Sequence, residues 1–164
     1  MDRQAEFEAY ARARQQQLYR TAYLLCGDPD TARDLVQTTL VKIFTAWRRA
    51  SRAEHPDAYA KTVLTRTYVD QQRRLRRERT AHTLADPLPP GGQADVRVTV
   101  LAALAQLPPK QRAALVLRYW EDQSVEATAI ALRCSTGTVK SQCARALAKL
   151  RELLGSSYAE LTEI

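Results

Sequence analysis

Apolar side chains recur at three- and four-residue steps along almost the whole chain, and this helical period leaves little else for it to fold into. Strand signals are almost absent. Between Phe7 and Cys26 the positions Tyr19, Ala22, Tyr23 and Cys26 share one face, Gly27 is placed as a left-handed C-terminal cap, and Pro29 cannot continue the helix. Asp28 then offers an N-cap oxygen with Pro29 at the first helical position. The stripe that follows is Leu35, Val36, Thr39, Leu40, Ile43, Phe44 and Trp47. Its opposite face carries Arg33, Asp34, Gln37, Thr38 and Lys42. After a polar break from Ala50 to Pro56, Asp57 is expected to cap a third helix from Ala58 to about Arg79.

Residues 80–95, TAHTLADPLPPGGQAD, change character, with three prolines, two glycines and no lysine or arginine. Such a stretch reads as a linker. The expectation is an all-α fold of two small helical domains, residues 1–79 and 96–164, joined by a flexible linker at 80–95. In the second domain, Val96 to Gln106 is followed by Leu107-Pro108-Pro109, which stops one helix and starts the next, from about Lys110 to Tyr119 or Trp120. Ser124 caps a short helix, VEATAIALR, and Ser135 caps a longer one whose stripe is Val139, Cys143, Ala146, Leu147, Leu150, Leu153 and Leu154. Two helices across a three- or four-residue turn, the second longer and basic, describe a helix-turn-helix.

Charge and composition narrow the function. With 25 Lys and Arg against 18 Asp and Glu, the chain carries a formal charge of +7, which favours a polyanionic partner. There are only 5 glycines, and the one adjacent pair, Gly91-Gly92, lies in the proline-rich stretch without phosphate-loop spacing, so nucleotide-binding enzymes drop down the list. No apolar run approaches the length of a membrane span, and MDRQAEFEAYARAR has no apolar signal core. The 3 cysteines, Cys26, Cys134 and Cys143, are too scattered for a disulfide framework, which points to a reducing cytoplasm. His55 and His82 lack ligand-spaced partners, and no nucleophile-base arrangement is present. No metal, cofactor or catalytic activity is therefore expected.

Two segments carry the candidate chemistry. Only the first turns of a recognition helix approach base edges in the major groove, so reading groups must cluster there, and Thr138, Lys140, Ser141, Gln142 and Arg145 do. Lysine or arginine donates to guanine, and glutamine pairs with adenine. Residues 66–79 hold six arginines against Asp70 and Glu78, with Tyr59 and Tyr68 on the same helix. Aromatic rings stack on unpaired bases while guanidinium groups hold phosphates, although such a basic end also serves as a plain solvated face.

In its first part the chain resembles the bacterial extracytoplasmic-function (ECF) sigma factors of the sigma-70 family, close to the actinobacterial type. The resemblance rests on LYRTAYLLCGDPDTARDLVQTTLVKIFTAW at 18–47 and DAYAKTVLTRTYVDQQRRLRRER at 57–79. In the second part it rests on LAALAQLPPKQRAALVLRYWEDQSVEATAIALRCSTGTVKSQCARALAKLREL at 101–153. It implies a dissociable subunit that gives core RNA polymerase its promoter specificity. Region 2 would dock on the largest subunit and open the minus-10 element; region 4 would bind the minus-35 element and the flap of the other large subunit. Carried over by position, Asp34, Gln37 and Thr38 look like polymerase contacts. Tyr59, Lys61, Arg66, Tyr68, Arg73 and Arg74 look like minus-10 contacts, together with the 50–56 loop and Trp47, which equally suits the core. The minus-35 role falls to the five residues on the recognition helix. Many relatives are clamped shut by an anti-sigma factor, a further partner the resemblance implies; membrane insertion is not expected. Arg133 stands where relatives usually have glycine, so a left-handed residue there would cost about 1 kcal/mol.

Two other classes remain open on the residues alone. A stand-alone helix-turn-helix regulator would bind duplex DNA tightly without polymerase. A basic helical RNA-binding or adaptor protein would be indifferent to promoter sequence.

Overall fold

The computed structural model describes residues 2–79 and 96–155, and the expected linker at 80–95, with His82, lies outside the described residues. Regular structure among them is helical throughout, as the periodicity requires. The helices are α1 (Arg3–Cys26), α2 (Pro29–Thr45), α3 (Trp47–Ala50), α4 (Pro56–Arg79), α5 (Val96–Ala105), α6 (Pro109–Leu115), α7 (Val125–Leu132) and α8 (Thr136–Leu154). A π-helical segment, Val116–Trp120, continues α6 and leaves Tyr119 and Trp120 exposed.

The junction of α1 and α2 falls where the chain supplies caps. Gly27 takes φ 74°, and its N–H donates to the Tyr23 carbonyl at 2.8 Å, closing α1. One residue later the Asp28 carboxylate accepts from the Thr31 N–H at 2.9 Å and from the Thr31 hydroxyl at 2.8 Å, opening α2. Those bonds favour the ionised form and hold Asp28 below its ordinary value of 3.8. The cap's contribution is therefore present above pH 3.8 and is lost as the pH falls through the lower, folded-state value. Asp28→Asn, which caps without titrating, is expected to remove that part of the acid-side fall in melting temperature. Melts of both proteins between about pH 5 and about pH 2 check it. Asp57 differs from expectation: α4 already begins at Pro56, so Asp57 lies in its first turn, where its carboxylate meets Arg14 Nε at 2.7 Å.

The amphipathic stripe of α2 builds the first core. Leu35, Val36, Thr39, Leu40 and Ile43 are buried against Leu18, Ala22 and Leu25 of α1 and Leu64 of α4. Phe44 departs from the stripe and is 38% exposed, its ring tilted against that of Phe7 with 4.9 Å between centroids. Trp47 starts α3 and is buried between the rings of Phe7 and Tyr10. Its role is in the core, and it presents no face to a strand.

Further along, Val100, Leu104, Leu107, Leu115, Ala146, Leu150 and Leu154 join α5, α6 and α8, and Ala114, Ala129, Val139 and Cys143 pack α7 onto them. The two halves of the chain also share a core. Ala113 and Val116 sit in the cluster built by α1, α2 and α4, with Leu132 packed against it. One half of the molecule thus uses the other as part of its own interior.

Candidate nucleic-acid and polymerase interface

The helix-turn-helix is built from three local devices. Ser124 accepts from the Ala127 N–H at 3.0 Å to open α7, and Ser135 accepts from the Thr138 N–H at 3.1 Å to open α8. Between them Arg133 adopts φ 55°, ψ 49°, and the Cys134 N–H reaches back to the Ala129 carbonyl at 3.0 Å. The turn needs a left-handed residue, and the chain places arginine there. Arg133→Gly is expected to stabilise the fold by about 0.5–1 kcal/mol, since it relieves the Cβ conflict and gives back part of that gain as chain entropy. A urea midpoint that rises with unchanged slope checks it.

On α8, Lys140, Ser141 and Arg145 are exposed, Thr138 and Gln142 are half-buried, and Val139, Cys143, Ala146 and Leu150 are buried on the opposite side. Core packing therefore fixes which side faces outward. The Ser141 hydroxyl donates to the Thr138 carbonyl at 3.0 Å, and the Thr138 hydroxyl lies 2.9 Å from that of Ser135. Both hydroxyls help to stiffen the helix start. Cys134 is half-buried beside the cap, and burial raises the Cys143 thiol above its ordinary value.

The arginine-rich helix α4 is not free along its length. Arg73 and Arg74 are exposed. Tyr59 is half-buried and lines an open groove of about 860 Å³ with Ala46, Arg48, Arg49, Arg52 and Ala53. Those three arginines were not among the expected contacts, although the run RRASR at 48–52 is their signal in the sequence. Three expected contacts are engaged elsewhere. Lys61 Nζ pairs with Glu121 Oε2 at 2.8 Å, the two side chains being 13% and 11% exposed. Arg66 donates from Nε to the Ala131 carbonyl at 2.9 Å and from Nη2 to the Ile130 carbonyl at 2.7 Å. Tyr68 is only 3% exposed, and burial pushes its hydroxyl up to about 12. Tyr68 is thus a core side chain in this arrangement and offers no stacking face: helical period and hydrophobicity do not separate a half-buried tyrosine from a buried one.

On α2, Asp34 and Gln37 are exposed one turn apart, and Thr38 is half-buried with its hydroxyl donating to the Asp34 carbonyl at 2.9 Å. Gln37 borders a groove of about 600 Å³ lined also by Arg12, Gln15, Gln16, Tyr19, Arg33 and Val36. Among the described residues no group of three His, Cys, Asp or Glu side chains is placed to hold a metal, and no helix is long and apolar enough to cross a membrane.

Comparison with known proteins joins these surfaces. Residues 5–78 match the family model "Sigma-70 region 2", and residues 97–150 match "Sigma-70, region 4". The RNA polymerase sigma-E factor of Streptomyces coelicolor is 41% identical over 152 residues, a match covering 91% of this chain and 86% of that protein. ECF RNA polymerase sigma factor SigM of Mycobacterium tuberculosis is 34% identical, over 91% of this chain and 77% of that one. Among solved structures, the sigma factor RpoE of Bartonella quintana, crystallised with the anti-sigma factor NepR, superposes with a TM-score of 0.72. That likeness covers 92% of this chain and 98% of the other at 28% identity. A helical region 2 and a helix-turn-helix region 4, found in order on one chain with relatives of this kind, make it a member of the ECF group of RNA polymerase sigma factors.

Proposed function

We propose that this sigma factor divides its work between a region 2 body at residues 1–79 and a region 4 body at 96–164, joined through 80–95. It binds core RNA polymerase through the two largest subunits, reads promoter DNA, takes no cofactor and catalyses no reaction. Its workplace is the cytoplasm. A partner of the anti-sigma class fits too, by analogy with the Bartonella protein. The observation carrying the reading is the outward side of α8, where Lys140, Ser141 and Arg145 stand exposed on a helix whose other side is locked into the core.

Each surface has a physical task. Thr138, Lys140, Ser141, Gln142 and Arg145 read the minus-35 element, Lys140 and Arg145 as donors to guanine and Gln142 toward adenine. Arg73 and Arg74, with Lys61 and Arg66 once released, hold the phosphates of the minus-10 strand. Tyr59 and the groove of Arg48, Arg49 and Arg52 receive an unstacked base. Extruding a base loses a few kcal/mol of stacking, so opening proceeds only where the single strand is held better than the duplex. Binding free energy supplies this without nucleotide hydrolysis. Asp34, Gln37 and Thr38 contact the polymerase, the first two with exposed polar groups that can pair across an interface.

Run-off transcription with core polymerase tests the reading: the chain should direct initiation at defined promoters that core alone ignores. Tight duplex binding without core and no effect on transcription would instead identify a stand-alone regulator. Replacing Asp34 and Gln37 by alanine is expected to weaken core binding by about tenfold or more, the scale of a central interface residue, with the melting temperature unchanged. A pull-down titration against core polymerase measures it.

A further inference from the structure

A cleft of about 280 Å³ opens where α4, α6 and α8 meet the turn between α7 and α8, and its walls carry mostly one sign of charge. Arg66 and Arg73 come from α4, Lys110 from the first turn of α6 and Arg133 from the turn itself. Asp70 is the one carboxylate among the lining residues. Among the described residues none of the four cations forms an ion pair. With four cations against one carboxylate, the cleft holds an excess of three positive charges.

Like charges gathered in this way repel, and two of them are held there against that repulsion. Arg66 is pinned by carbonyls, donating from Nε to Ala131 at 2.9 Å and from Nη2 to Ile130 at 2.7 Å. Burial, and after it the neighbouring Arg133 guanidinium, work against its charged form. Arg133 bears a cost of its own. It and Asp122 are the two non-glycine residues with positive φ among the described residues, and a glycine would make the same turn without a Cβ conflict. Strained residues gather at ligand clamps and active sites, where surrounding structure holds them for what the side chain does. Here the side chain brings a second guanidinium into the field of the first. The first turn of α8, whose Thr138 lines the cleft, adds the positive end of a helix dipole.

The size and charge of the cleft select the ligand. A phosphate group carries about −1.5 to −2 charge at pH 7, so one falls short of the excess and two match it. Guanidinium forks take phosphate oxygens in pairs, and lysine adds a point charge. At about 280 Å³ the space lies just below the ~300–1,000 Å³ of pockets for drug-sized ligands, which suits a compact anion. Val69, Ala131 and Leu132 add an apolar wall beside the cations, suited to the flat face of a base.

We propose that this cleft is a binding site for a small diphosphate anion, either free pyrophosphate or the diphosphate end of a mononucleotide, gripped by Arg66, Arg73, Lys110 and Arg133. Lys110 and Arg133 belong to none of the DNA or polymerase surfaces assigned above, so the site does not stand or fall with those assignments.

Isothermal titration calorimetry on the full chain, in magnesium-free buffer at about 0.15 M ionic strength, reads the binding with surface charges screened beyond about 8 Å. Inorganic pyrophosphate is expected to bind saturably at one per chain, and inorganic phosphate about tenfold or more weakly. Arg133→Gly and Lys110→Ala are each expected to weaken pyrophosphate binding by about tenfold, the scale of one charge-assisted contact. Arg133→Gly is the sharper variant, because its fold is expected to gain stability while the site loses a cation, so lost affinity does not report unfolding. Lys110→Ala removes an exposed side chain and carries the test should Arg133→Gly lose helix by circular dichroism. ADP separates the two sources: tighter binding than pyrophosphate identifies a nucleotide with its base on the apolar wall, and equal or weaker binding identifies the free anion. Both results support the site. No saturable heat with either diphosphate, sulfate or phosphate binding as tightly as pyrophosphate, or unchanged affinity in a folded variant would overturn it.

Discussion

Replacing Lys140 and Arg145 together by alanine is expected to abolish most minus-35-dependent initiation, by about a hundredfold or more in run-off transcription. Both side chains are exposed on the first half of α8, on the side opposite the buried Val139, Cys143 and Ala146. Each bidentate base contact is worth about 1–3 kcal/mol of discrimination, and every 1.4 kcal/mol is a factor of ten. The loss should be confined to promoters that retain a minus-35 element. An equal fall on templates with that element scrambled would mean the two residues hold phosphate only, or that α8 does not enter the groove. The fold should survive, because neither side chain belongs to the core.

Leu64→Ala is the second large effect, and it acts on stability. Leu64 is fully buried in α4 at the junction with α1 and α2. Removing its branched end costs the transfer free energy of the lost atoms plus a cavity term, about 2–5 kcal/mol, against a total stability of about 5–15 kcal/mol for a typical protein. The urea midpoint should fall with the slope unchanged. Val41→Ala, at a position 64% exposed on the neighbouring helix, should move it by no more than about 0.5 kcal/mol. Because Ala113 and Val116 lie in the same cluster as Leu64, the loss should also loosen the second half of the molecule. A single shared transition by two probes, one in each half, checks that coupling.

Much of the fold was legible in the residues because it is made locally. Asp28, Ser124 and Ser135 are caps whose partners lie three residues away. Gly27 and Arg133 end helices through their own backbone angles. The stripe of α2 told which side would be buried, apart from Phe44, which sits at the margin where period alone does not resolve a half-turn. The recognition helix was equally readable, since its polar and apolar sides are separated within the helix itself.

The site on α4 was less legible, for a reason visible in particular residues. Lys61, Arg66 and Tyr68 look alike in sequence to Arg73 and Arg74: polar or aromatic positions on a basic helix. What distinguishes them is contact with chain 60 to 65 residues away for Lys61 and Arg66, or burial against Arg112 for Tyr68. Arg112 itself reads as an ordinary residue after LPPKQ, yet it is almost wholly buried and bonded across 88 residues of sequence. No periodicity reports such pairings, because they depend on how two finished surfaces meet.

The order of letters alone determined that this polypeptide is helical, where most of its helices begin and end, and which side of the recognition helix looks outward. Those outcomes follow from bonds and periods that span a few residues and are present in any conformation that keeps the helices. Tertiary packing alone decided that Lys61 and Arg66 are occupied, that Tyr68 is interior, and that region 2 and region 4 share a core. The physical reason is range: a guanidinium finds a distant carbonyl only after apolar burial has brought two helices together, and that encounter is a property of their shapes rather than of either segment.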